Sequence, residues 1–181
     1  MDWQGKRAIV LGAETGAGRA VAQALAEAGA RLAVVAGSSA AEAAFAVQRL
    51  ARRLSRPQRE PVLAQAIDAA NDMAVRVMVR QTAKALGGLD ALFFCADLGP
   101  ATPDALALAC RYGSREMKRA GGGAIVAIAG VDISPLVEEC LASGVRLMAV
   151  TGAGDPAALA AEALRLADTG EAGAVVRPRE D

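Results

Sequence analysis

The chain contains no histidine in 181 residues, which removes the commonest general base at neutral pH and the commonest metal ligand. Any proton chemistry must rest on the single tyrosine, the lysines, the carboxylates or a thiol. Aromatic residues make up only 3% of the chain against a hydrophobic fraction of 54%, so the core must be assembled from Ala, Val and Leu. Side chains of that size suit helices packed closely on a sheet. Net charge is missing as well, because 20 basic and 20 acidic side chains cancel. No global field remains to attract nucleic acid or an anionic membrane surface, and neither is expected as a partner. The one basic run, Gln48 to Glu60, reads as a solvated helix end and loop. Apolar runs stay well short of the roughly 18 residues that span a bilayer. Cys95, Cys110 and Cys140 are odd in number and far apart, with no C-x-x-C pair and no signal-peptide pattern ahead of them. The expectation is a soluble, reduced, cytoplasmic protein. The carboxylates show no metal-ligand spacing, so no metal is expected.

The length fits one domain over residues 1–181. Along it, short runs rich in Val, Ile and Leu alternate with Ala-rich segments of helical period, the pattern of a doubly wound parallel sheet with helices on both faces. Seven strands are predicted, at residues 7–13, 31–37, 62–68, 90–96, 123–130, 145–150 and 173–178. The first helix is expected over Ala17 to Ala28, closed by Gly29. The last is expected over Pro156 to Ala167, with Asp155 as N-cap, Pro156 at the first helical position and Gly170 beyond the end.

The segment "VLGAETGAGRA", Val10 to Ala20, places three glycines in G-x-x-x-G-x-G spacing between the first strand and the first helix. Gly12 serves the tight turn, while Gly16 and Gly18 allow a pyrophosphate and the helix itself to come close. The amides at the helix start then face the phosphates. Within this loop Glu14 is either an acceptor for a ribose hydroxyl or a solvent-exposed turn residue; a carboxylate this near a pyrophosphate is repelled unless screened.

In "GKRAIVLGAETGAGRAVAQALAEAGA", "IDAANDMAVRVMVRQTAKALGGLDALFFCADLG" and "MKRAGGGAIVAIAG" the chain resembles the short-chain dehydrogenase/reductase family, in the family's order and over nearly its whole length. The resemblance implies a Rossmann-like fold and NAD or NADP as cofactor. It assigns Gly12, Gly16 and Gly18 to the cofactor turn, Asp68 at the end of the third strand to the adenine, and Ala96 to the cofactor's edge after the fourth strand; Glu14 joins them as a candidate. Asp68 has a second reading, as N-cap or turn residue before a helix beginning near Asp72.

Departures from the family's pattern concentrate on chemistry. The end of the second strand reads Ala36, Gly37, Ser38, Ser39, without the acid that binds an adenosine ribose or an arginine for a 2′-phosphate. Where the family shows Asn-Asn-Ala-Gly, this chain has Phe94, Cys95, Ala96 and Asp97. Ala129 and Gly130 stand at the family's serine, and the Tyr-x-x-x-Lys of the next helix is missing from "VDISPLVEECLAS". The segment that covers substrate in the family is gone too, since "TGAG" (151 to 154) leads straight into the final helix. Tyr112 lacks a lysine four residues on and reads as a packing residue of its helix. Cys95 and Cys140 are the only candidate nucleophiles, and neither shows a base or cation beside it, so buried small hydrophobes are expected. No catalytic residue is therefore assigned.

By type of loss, the chain is similar to subunits that pair with an intact homologue in heteromeric members of the family. Such pairing, or self-association, is expected through Pro156 to Arg177, whose Leu159, Leu164 and Leu166 stripe is either interface or intramolecular core. Two other readings stand beside it: a dinucleotide-binding sensor or regulator without chemistry, and an oxidoreductase of unusual or partner-completed active site.

Overall fold

All seven apolar runs become strands in the computed structural model, which describes residues 2–178. They are β1 (Arg7–Leu11), β2 (Arg31–Ala36), β3 (Leu63–Ala66), β4 (Ala91–Phe94), β5 (Gly123–Ala127), β6 (Val145–Val150) and β7 (Val175–Val176). The strands lie in the order β3-β2-β1-β4-β5-β6-β7, every neighbouring pair parallel. Parallel neighbours need long crossovers. Six helices supply them: α1 (Gly16–Glu27), α2 (Ala41–Leu54), α3 (Asp72–Leu86), α4 (Thr102–Arg119), α5 (Ser134–Leu141) and α6 (Pro156–Thr169).

Alternate strand residues feed two separate cores, which is why the strands read as unbroken apolar runs. Val10, Val34, Phe93, Val126 and Met148 point to the side of α1, α2 and α6. Ile9, Leu11, Val35, Leu92, Phe94, Ile125 and Leu147 point to α3, α4 and α5. Trp3 closes the first core against Phe93, the ring centroids 5.8 Å apart. The edge strands are β3, of four residues, and β7, of two. β3 begins after the polar connection 55–62, and β7 is confined between Gly173, at φ +83°, and Pro178.

Helix boundaries follow their chemistry. Gly29 closes α1 at φ +87°. Asp155 caps α6 by accepting from the Ala158 amide at 3.3 Å. The cap of α3 is Asn71, which accepts from the Ala74 amide at 2.9 Å. Asp68 instead makes a turn, its Oδ1 accepting from the Ala70 amide at 3.0 Å.

The apolar stripe of α6 is used internally. Leu159, Ala163 and Leu166 are buried in the α1-side core and Leu164 packs against it, so this stripe is core and not free interface. Among the described residues no helix is long and apolar enough to cross a membrane.

Candidate functional site

Chain order reverses between β1 and β4: β1 continues to β2 on one side, and the chain returns to β4 on the other. In a doubly wound sheet the crevice at such a switch, outside the carboxyl ends of the strands, is where a ligand binds. The loop after β1 fills its floor. Gly12 sits at φ +90°, and a Cβ there would run into the backbone of Ala96. A Cβ on Gly18 would run into the carbonyl oxygen of Gly12. These two glycines are demanded by the protein's own backbone.

Gly16 differs. A Cβ built there would meet only Pro156 Cγ at 3.6 Å and Arg19 Nη2 at 4.0 Å, ordinary contact distances. A Cβ therefore fits at Gly16, and internal packing does not require a glycine. Thr15 forms the N-cap of α1: its hydroxyl donates to the Gly12 carbonyl at 2.8 Å and accepts from the Gly18 amide at 3.0 Å. The amides of Gly16 and Ala17, in the helix's first turn, have no intrahelical acceptor and are suited to an anion.

Glu14 is only partly exposed, and its side chain folds back across the crevice; it is not a solvated turn residue. Oε1 accepts from the Gly37 amide, just past β2, at 2.9 Å. Oε2 is buried and has no hydrogen-bond partner among the described residues. Arg19 donates to the Glu14 carbonyl oxygen at 2.6 Å, which holds its guanidinium on the Gly16 side of the loop. Ala96 lines the opposite wall, its Cβ lying 2.9 Å from where a Cβ on Gly37 would stand. Gly12, Glu14, Gly16, Gly18 and Ala96 thus meet in one crevice. Asp68 is exposed in the turn after β3, beyond β2 on the same edge of the sheet.

The β4 and β5 ends hold the remaining positions. Asp97 is exposed, and its Oδ1 accepts from the Gly99 amide at 3.1 Å, so its carboxylate is turned onto its own loop. Cys95 is buried, and burial, reinforced by the charge of Glu14, pushes its thiol up. Ala129 and Gly130, the latter at φ +63°, follow β5. Asp132 accepts from the Ser134 amide at 2.9 Å, and that bond holds its carboxyl below the usual range. The short α5 carries Glu138, Glu139 and Cys140 and neither Tyr nor Lys. Tyr112 lies away from the crevice on α4, donating its hydroxyl to Asp72 Oδ1 at 2.8 Å.

One juxtaposition is absent from the linear spacing. Cys110 on α4 and Cys140 on α5 are both buried, and their thiols lie against each other, with Ser114 beside Cys140. Sulfur contact lowers the Cys140 thiol to about 7, while the same contact, with burial, raises Cys110.

Residues 6–133 match the family described as short chain dehydrogenase. Among solved structures the chain is similar to a hydroxysteroid dehydrogenase from Escherichia coli, at 18% identity over 97% of this chain and 95% of that one, with a TM-score of 0.79. A short-chain type dehydrogenase/reductase from Mycobacterium marinum is 23% identical over 97% and 94% of the two chains, with a TM-score of 0.82. The 3-ketoacyl-(acyl-carrier-protein) reductase from Brucella melitensis, solved with NADH, is 17% identical over 96% of each chain, with a TM-score of 0.80. At these identities the structural likeness is one of fold. No curated protein sequence matches the chain.

Proposed function

The chain belongs to the short-chain dehydrogenase family, and from that premise we propose that it is a noncatalytic subunit that supports an intact homologue of the family. The observation that carries this reading is α5: eight residues, Ser134–Leu141, without tyrosine or lysine, in a fold whose seven strands are all present. When bound, a nicotinamide dinucleotide supplies or accepts a hydride, and a proton must then move at the substrate oxygen. General acid–base help of this kind is worth roughly 10²- to 10⁴-fold. Ala129 and Gly130 have no polar side chain to hold that proton, and Tyr112 is engaged with Asp72 at the start of α3.

With the α6 stripe spent on the core, the part of Pro156 to Arg177 left for a partner is the β7 edge. Among the described residues β7 pairs only with β6, and Val175 on it is 55% exposed; an edge strand of this kind accepts further contacts. Tagged protein recovered from its native cells should bring down a full-length family member in equal amount. Recovery of the chain alone overturns the proposal.

A second reading, binding of NAD(H) or NADP(H) without chemistry, is favoured by Gly16, a glycine that the protein's own packing does not require. Gly16, the first-turn amides of α1 and the orphaned oxygen of Glu14 suit a diphosphate and a ribose. Titration with reduced cofactor tests it, and no binding at millimolar concentration removes it.

A further inference from the structure

We infer that Glu14 replaces the acid missing from the end of β2 and makes the crevice selective for NAD(H) over NADP(H), an inference that rests on the nucleotide binding proposed above. The adenosine ribose of a dinucleotide lies outside the carboxyl end of the second strand, where a strand-end carboxylate accepts its hydroxyls. That end is occupied here by Ala36 and Gly37. The carboxylate of Glu14 arrives at the same place from the neighbouring loop. Its Oε1 is 2.9 Å from the Gly37 amide nitrogen and 3.5 Å from where a Cβ on Gly37 would stand. A Cβ on Gly37 would meet Glu14 at an ordinary contact distance and is excluded instead by Ala96 Cβ at 2.9 Å, so the carboxylate is placed here by its bond to the Gly37 amide.

Oε2 carries the specificity. It is buried, and no donor among the described residues reaches it, an unfavourable condition for a carboxylate oxygen. Ribose 2′- and 3′-hydroxyls are donors and satisfy it. A 2′-phosphate brings acceptors and like charge to the same oxygen, at close range in a partly buried site. Arg19 does not offset this, because its guanidinium is held by the Glu14 carbonyl on the Gly16 side, 4.0 Å from a Cβ built on that glycine. There it complements the diphosphate. Binding thus separates into two parts: the α1 amides, Gly16 and Arg19 for the diphosphate, and Glu14 for the ribose.

The test is calorimetric titration of the full chain with NADH and with NADPH, for the unchanged protein and for Glu14→Gln and Glu14→Ala. Glu14→Gln keeps an acceptor for the Gly37 amide while removing the charge. The unchanged protein should bind NADH at least about tenfold more tightly than NADPH, the size of one charge-assisted hydrogen bond. Glu14→Gln should bring the two within about threefold. The ratio is measured within one protein, so a general loss of stability cannot mimic the result. Equal binding of both nucleotides by the unchanged protein overturns the inference, as does a ratio that Glu14→Gln leaves intact. Binding that appears only in Glu14→Ala also overturns it, because Glu14 then closes the ribose subsite. If no variant binds either nucleotide, the nucleotide-binding reading itself has failed.

Discussion

Arg7 at the start of β1 grips Asp90 at the start of β4 through two side-chain bonds, Nε to Oδ2 at 2.8 Å and Nη2 to Oδ1 at 2.7 Å. The Arg7 backbone amide adds a third to Oδ2 at 2.9 Å, and Nη1 donates to the Gly87 carbonyl at 2.5 Å. The clamp fixes the amino ends of the two strands whose carboxyl ends form the crevice. Hydrogen bonding to Arg7 holds the Asp90 carboxyl below its usual range. A carboxyl depressed in the folded state contributes stability above its unfolded pKa, about 3.9, and loses it as pH falls through the lower folded value. Asp90→Asn should therefore cost about 1–2 kcal/mol at neutral pH, an amount tempered by the pair's partial exposure. Melting curves of both proteins should differ by a constant amount above about pH 5 and converge below about pH 4. A difference that persists unchanged into acid contradicts the assignment.

The three loop glycines should separate into two classes. Gly12→Ala and Gly18→Ala force a Cβ into backbone, and Gly12 must also keep a positive φ, so each should cost roughly 3 kcal/mol or more. Gly16→Val meets only the edge of Pro156 and should change stability by no more than about 1 kcal/mol, while abolishing binding of NADH. Thermal melts and titration of the three variants check this. Equal destabilisation by all three would show that the cradle at Gly16 is a packing requirement like the others.

The inner strands were legible because burial on both faces writes them as apolar runs rich in Val, Ile and Leu. The ends were less so. At β7 the pattern spans residues 173–178, but the strand itself covers only Val175 and Val176, although the Gly173 amide and the Ala174 carbonyl also bond to β6. Glycine spacing located the crevice, yet it treated Gly12, Gly16 and Gly18 alike. Their different reasons depend on Ala96 and Pro156, which come from distant parts of the chain. The turn of Glu14 toward Gly37 was likewise illegible. It follows from β1 lying beside β2, which places two loops side by side that are separated in sequence by a whole helix. The α6 stripe shows the same limit: a helical period marks an apolar face without saying that α1 covers it.

Tyr112 is expected to be dispensable for any hydride chemistry in a recovered complex. Its hydroxyl donates to Asp72 Oδ1 at 2.8 Å, Arg111 approaches the other oxygen of that carboxylate at 3.6 Å, and the Arg115 guanidinium lies 5.3 Å from the ring centroid. This is a surface brace between α3 and α4. Tyr112→Phe removes one exposed hydrogen bond and should cost less than about 1 kcal/mol. Dehydrogenase activity of the complex should keep its rate and its pH profile. A loss of about 10²-fold or more, the scale of a missing general acid, would place Tyr112 in the reaction.

The buried thiol pair between α4 and α5 gives the last expectation a pH signature. Two sulfurs in contact share the cost of ionisation unequally: the one stabilised by its neighbour's S–H ionises first, and the neighbour is then held protonated. The structure makes Cys140 the first, with its thiol lowered to about 7 by contact with Cys110. Ultraviolet titration of the native protein should show one thiolate forming with a midpoint near 7, well before an ordinary thiol at about 8.5. Cys110→Ala removes the donor and should move that midpoint upward, because burial alone disfavours the thiolate. Both thiols are buried, at 3% and 2% exposure, so a bulky thiol reagent should label neither until the protein is unfolded, whatever the ionisation state. Rapid native labelling of Cys140 would mean that α5 opens readily. An absence of any thiolate step below pH 8 would mean that the sulfur contact does not stabilise the anion.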